Sequence, residues 1–152
     1  MNKNTRMIDA IKRLFWLFVF VSCTVNVMAD NSSTISTQQL RVILPPPVAT
    51  SAAAYGVIEN TGNVQDTLIN ISSDAGMIML HKSEIIDGMA KMNHVEDYVF
   101  EPGAQLILKP MSYHLMFMNI NHDVIKQDGE VLVTLEFEKA GKLKINVPVS
   151  AE

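Results

Sequence analysis

Met77-Ile78-Met79-Leu80-His81 and Tyr113-His114-Leu115-Met116-Phe117-Met118 are the two stretches whose reading decides the fold. Neither contains proline or glycine, and in an extended strand successive side chains switch faces with period two. Met77, Met79 and His81 then share one face while Ile78 and Leu80 take the other. His114, Met116 and Met118 share a face in the same way. Each stretch is expected to be a strand that turns an apolar side to a core and collects imidazole and thioether groups on the opposite side.

The chain between them strengthens the β reading. Asp87-Gly88 separates the strand 77–86 from the strand 89–95, and an Asp-Gly pair between two such runs is a strong hairpin signal. A two-residue loop sets His81 opposite His94, Ser83 opposite Met92 and Ile85 opposite Ala90 on one side of the ribbon. On the other side Glu84 faces Lys91, a favourable cross-strand pair. Met92 thereby lies diagonally beside His81 on the same face.

Working outward, strands are expected at 38–44, 55–59, 66–72, Gln105–Leu108, 131–138 and 142–149, besides the three already placed. Pro45-Pro46-Pro47 has to leave the sheet, because proline lacks the ladder donor. Residues 48–54 form an Ala-rich link. Asn60-Thr61-Gly62 and Glu101-Pro102-Gly103 carry turn chemistry, and 119–128 is irregular, with one helical turn around Val124 and Ile125. Nine short strands at this spacing, with no long helix, imply an all-β Greek-key sandwich.

The amino terminus is of another kind. Lys3, Arg6, Lys12 and Arg13 precede the apolar run from Leu14 to Val21, and Val27-Met28-Ala29 suits a signal peptidase. Residues 1–29 read as a secretory signal peptide, which leaves 30–152 as the single domain. Cys23, the only cysteine, offers an alternative as a lipid-modified cysteine. Phe20 and Ser22, however, stand where such signals usually carry Leu and a small residue.

Removing 1–29 takes away four of twelve basic and one of sixteen acidic side chains, which leaves a formal charge of −7. Such a surface repels nucleic acid and anionic membrane and favours cations. With no cysteine in the mature chain, the core forms without disulfides and a blue-copper site lacks its thiolate.

The chemistry-bearing candidates are His81, Met92, His114 and Met116, with Met77, Met79, Met89, Met118 and His94 close by. Thioether sulfur is a soft donor and imidazole a borderline one, so this set prefers Cu(I) to zinc, calcium or magnesium. Each methionine alone reads more readily as core filler, and His122 as a loop residue. Together they form the spacing H-x10-M-x21-H-x-M, which resembles the signature of the periplasmic copper chaperones of the PCuAC family, also known as DUF461. Tyr55 to Asn60 with Gly62, Leu80-His81, Met89-Ala90-Lys91-Met92, Pro102-Gly103, Tyr113-His114-Leu115-Met116, Leu135-Glu136-Phe137-Glu138 and Val147-Pro148-Val149 extend the resemblance over about 40–149.

The resemblance implies a cupredoxin-like β-sandwich that binds one Cu(I) near its surface through His81, Met92, His114 and Met116. It also implies a periplasmic carrier, expected to be a monomer. Its cargo would go to an apo copper-centre domain of a respiratory oxidase, or to another copper carrier, for cytochrome c oxidase assembly. Two alternatives stay open: a periplasmic copper buffer, and a passive β-sandwich module without metal. No spacing singles out a nucleophile, a carboxylate pair or an open zinc site, so an enzyme is not expected.

Overall fold

The computed structural model describes residues 33–151, so the expected signal peptide and Cys23 lie outside the described residues. Ten strands follow one another: β1 (Ile35–Ile43), β2 (Ser51–Asn60), β3 (Asp66–Ser73), β4 (Met77–Ile86), β5 (Met89–His94), β6 (Tyr98–Phe100), β7 (Gln105–Leu108), β8 (Tyr113–Met118), β9 (Glu130–Phe137) and β10 (Gly141–Ser150). No helix among the described residues is long and apolar enough to cross a membrane.

The strands run side by side in the order β5-β4-β8-β7-β2-β1-β10-β9-β3-β6, and β8 also pairs with β2. A short parallel pairing, Val42 with Val149 and Ile43 with Ser150, links the two halves, so the sheet curls as one ribbon. Both halves feed one core. Ile58, Leu80, Leu115 and Phe117 come from the first half, and Leu68, Val133, Leu135 and Phe137 from the second. Each such side chain contributes about 2–3 kcal/mol when removed from water.

The hairpin register is the one expected from a two-residue loop. His81 pairs with His94, Ser83 with Met92, Glu84 with Lys91 and Ile85 with Ala90. Asp87 and Gly88 have φ of 53° and 76°. Two successive left-handed residues make the turn whose twist matches the flanking strands.

Two segments differ from the sequence reading, and a third agrees with it. The Ala-rich stretch is no link from residue 51 onward. Ala52 and Ala54 sit inside β2, buried, with Ala54 paired to Val42 on one side and Leu115 on the other. Alanine has weak strand propensity, and here pairing on both edges overrides it. The strand β6 was not expected, being three residues long; it pairs with Asp66, Thr67 and Leu68 and buries Phe100. In 119–128 the Ile125 amide donates to the Asn121 carbonyl at 2.9 Å and Ile125 is buried, so the single turn expected around Val124 and Ile125 is present.

The β1–β2 pairing shifts register between Gln38 and Arg41, where Gln39 has φ 52°. Gly56 lies against this bulge with φ 148°, and a Cβ there would stand 2.6 Å from Leu40 Cα and 2.8 Å from Leu40 N. Backbone atoms cannot yield as a side-chain tip can. Gly56→Ala is therefore expected to cost about 3 kcal/mol in urea unfolding. A midpoint equal to that of the wild type would show that the bulge relaxes freely.

Candidate metal site

Three neighbouring strands, β5, β4 and β8, carry every candidate ligand. His81 of β4 stands directly opposite His114 of β8, and Met79 opposite Met116. Met92 of β5 pairs with Ser83, two residues along from His81 and on the same face. The sheet therefore brings His81, Met92, His114 and Met116 to one side of three adjacent strands. The other side holds Ile78, Leu80, Leu115 and Phe117, all buried in the core. This division follows from strand alternation, because each core residue on β4 and β8 sends its neighbours outward.

The rings are close and nearly perpendicular. The His81 and His114 centroids lie 5.9 Å apart, and those of His81 and His94 lie 5.7 Å apart. His114 is only 6% exposed. Its Nδ1 lies 3.0 Å from the Ser112 carbonyl, and donation of the Nδ1 proton to that oxygen leaves Nε2 with a free lone pair. Orientation of one ring nitrogen by a backbone carbonyl is how ligand imidazoles are commonly held. Ser112 was not singled out in the sequence, since a carbonyl acceptor leaves no mark on residue type.

His81 differs: its Nδ1 is buried and has no hydrogen-bond partner. Burial, then the neighbouring His114 and then His94, lower the His81 pKa below 6.5, so the ring is neutral at pH 7. Among the described residues no group of three His, Cys, Asp or Glu side chains could hold a metal ion. On this face the thioethers of Met79, Met92 and Met116 flank the histidine pair. The donor set fits a soft cation: two imidazoles with available nitrogens and methionines flanking them.

Because the unfolded chain takes up the proton first, the fold carries no protonation penalty from the His81 ring above about 6.5 and loses stability as pH falls through the lower folded value. The denaturation midpoint should drop between pH 7.5 and 5 in the wild type and drop less in His81→Leu. Equal drops in both would place the titrating group elsewhere.

The remaining candidates separate cleanly. His122 Nε2 lies 2.9 Å from the Ala49 carbonyl in the loop region, as befits a structural histidine. Met89 is exposed near the hairpin turn, and Met111, with φ 58°, is exposed in the turn before β8. Met77, Met79 and Met118 lie on the His/Met face, with Met77 directly opposite Met118.

Solved structures share the fold. The apo PCuAC domain of PmoF2 superimposes with TM-score 0.64 at 20% identity, covering 79% of this chain and 92% of that one. The copper-bound PCuAC domain from PmoF2 gives 0.63 at 22% identity, with 80% and 97% covered. The solution structure of CuI-DR1885 from Deinococcus radiodurans gives 0.57 at 22% identity, with 84% and 83% covered. The architecture is thus all-β and cupredoxin-like. No curated protein sequence matches the chain. A family model described as "Putative lipoprotein LpqE-like" matches residues 35–149, and the chain belongs to this LpqE-like family.

Proposed function

We propose that the protein is an exported copper carrier that binds one Cu(I) through His81, Met92, His114 and Met116. The observation that carries this reading is the meeting of two imidazoles and several thioethers on one face of β5, β4 and β8, with the His81 Nδ1 buried and unpartnered. An orphaned ring nitrogen is costly in the free protein, and a cation on that atom would remove the cost. Two of the structures with the same fold are copper-bound forms by name, one as CuI-DR1885.

Each ligand has a distinct part. The carbonyl of Ser112 holds His114, so its Nε2 serves as the fixed anchor. His81 supplies a neutral ring from the middle strand. Met116 is half-buried beside the histidines, whereas Met92 is 52% exposed on the projecting hairpin. Neutral thioethers release a soft cation without taking up a proton. An exposed Met92 lets an incoming donor replace it first, which suits ligand-by-ligand transfer. The recipient we infer is an apo copper-centre domain of a respiratory oxidase, and the compartment is the periplasm, reached through the signal in 1–29. The family description of a lipoprotein gives weight to Cys23 as a lipid anchor instead of cleavage after Ala29.

The test is a competition for Cu(I) between the protein and a colorimetric chelator under reducing, oxygen-free conditions. We expect binding at these four ligands, with raised thermal stability of the loaded chain. Failure to compete would leave a passive β-sandwich. The extra methionines on the same face favour a second reading, a copper buffer. Rapid transfer to an apo-oxidase domain supports the carrier, and retention of copper against that domain supports the buffer.

A further inference from the structure

The His/Met face extends past the four proposed ligands. One rung beyond His81–His114 lies the Met79–Met116 pair, and one rung further the Met77–Met118 pair. Rungs on one face are separated by about 7 Å along the strand, and opposed residues approach to about 5 Å at Cβ. Four thioethers therefore form a two-by-two ladder continuous with the histidines.

Three observations set this ladder apart from ordinary packing. It lies on the side of the sheet away from Ile78, Leu80, Leu115 and Phe117, and Met77 is 52% exposed. Its neighbours in β2 are small: Ala53 pairs with Met116 and Ser51 with Met118, so no large side chain of that strand lies over the sulfurs. Finally, Met77 and Met79 line an open cavity of about 510 Å³ that has Ile69, Ile71 and Val95 on its apolar side and His94, Glu96 and Asp97 on its polar side. The two carboxylates bordering it lower the cost of holding positive charge there.

We propose that Met77, Met79 and Met118 form a second soft-metal site, taking Cu(I) or its analogue Ag(I) by thioether sulfur alone. The proposal rests on the copper reading of the His81 site for the identity of its cargo. Methionine has three rotatable side-chain bonds and a polarisable sulfur, so three chains in adjacent register positions can converge on one ion. Hard divalent ions are refused, because thioethers offer them too little. Met116 belongs to the Met79–Met116 rung and to the proposed His81 site, and so joins the two sites. The second ion sits farther from the imidazoles, is held more weakly, and exchanges through the cavity beside Glu96 and Asp97.

The test is a titration of the full chain with Ag(I), followed by the methyl resonances of 13C-labelled methionine, together with Cu(I) stoichiometry against the chelator. The wild type is expected to take two ions, the second at least tenfold more weakly, with the Met77, Met79 and Met118 methyls moving in the second step. The triple variant Met77→Leu, Met79→Leu and Met118→Leu keeps side-chain volume and should take one ion with unchanged affinity. One ion in both proteins overturns the second site and leaves the His81 site standing. Absence of binding in the wild type overturns both. Two ions in the triple variant would also overturn the assignment, by placing the second ion elsewhere.

Discussion

His81→Leu is expected to make the metal-free protein more stable while removing its proposed cargo. In the wild type the Nδ1 of His81 is buried without a partner, and such an atom costs about 1–3 kcal/mol. Leucine has a similar volume and no polar atom, and β4 already carries Leu80 and Ile78 at adjacent positions. A gain of about 1 kcal/mol would raise the melting temperature by about 3–5 °C for a domain of this size. On the proposed ligation by His81, its loss should weaken Cu(I) binding by at least about 100-fold, since even residues that merely support ligands affect affinity 10–100-fold. Opposite movement of stability and affinity is the mark of a residue kept for its chemistry. Chelator competition and thermal melts on one variant read both quantities. A less stable variant with unchanged Cu(I) affinity would make His81 a packing residue and sink the four-ligand assignment.

Much of this His/Met face is legible in the sequence. Asp87-Gly88 determines a two-residue loop, and that loop sets His81 against His94 and Met92 against Ser83 with no further information. Strict alternation in 77–81 and 113–118 sorted imidazole and thioether from core residues, and each landed on the expected face. Other features left no local trace. That β4 lies beside β8 in the register His81 to His114 is a long-range pairing, and periodicity within a strand says nothing of its neighbour. The Ala-rich start of β2 misled because alanine prefers no strand, yet the close β1–β2–β8 packing accepts small side chains there. β6 was too short to show alternation. The unpartnered Nδ1 of His81 and the Ser112 carbonyl on His114 are facts of three dimensions only.

The other large effect is expected from a residue with no donor role in the site. Asp66→Ala should destabilise the fold by about 4 kcal/mol, because four groups depend on one buried carboxylate. Its Oδ2 accepts from the Ser33 hydroxyl at 2.6 Å and the Ala140 amide at 2.8 Å, and its Oδ1 from the Thr67 and Lys139 amides at 2.8 and 2.9 Å. Truncation would leave three backbone donors without that acceptor, at the corner where β3 meets the β9–β10 turn. Burial alone would push the carboxyl upward, but the bonds from Ser33, Ala140, Lys139 and Thr67 together outweigh it and lower its pKa below 3.8. The unfolded chain then takes up the proton first as pH falls, so the Asp66 contribution is complete above about 3.8 and lost below it through the folded value. Urea midpoints from pH 6 to 2.5 should fall steeply in the wild type below that point and far less in the variant. Asp66→Asn, which keeps the shape and one acceptor oxygen, should lie between them. Asp66 also pairs with Phe100 of β6, and Tyr98 of β6 meets the Tyr113 ring at 5.5 Å, one residue before His114, so this corner packs toward the His/Met face. A variant as stable as the wild type at pH 6 would show that the corner is held by the strand ladders alone.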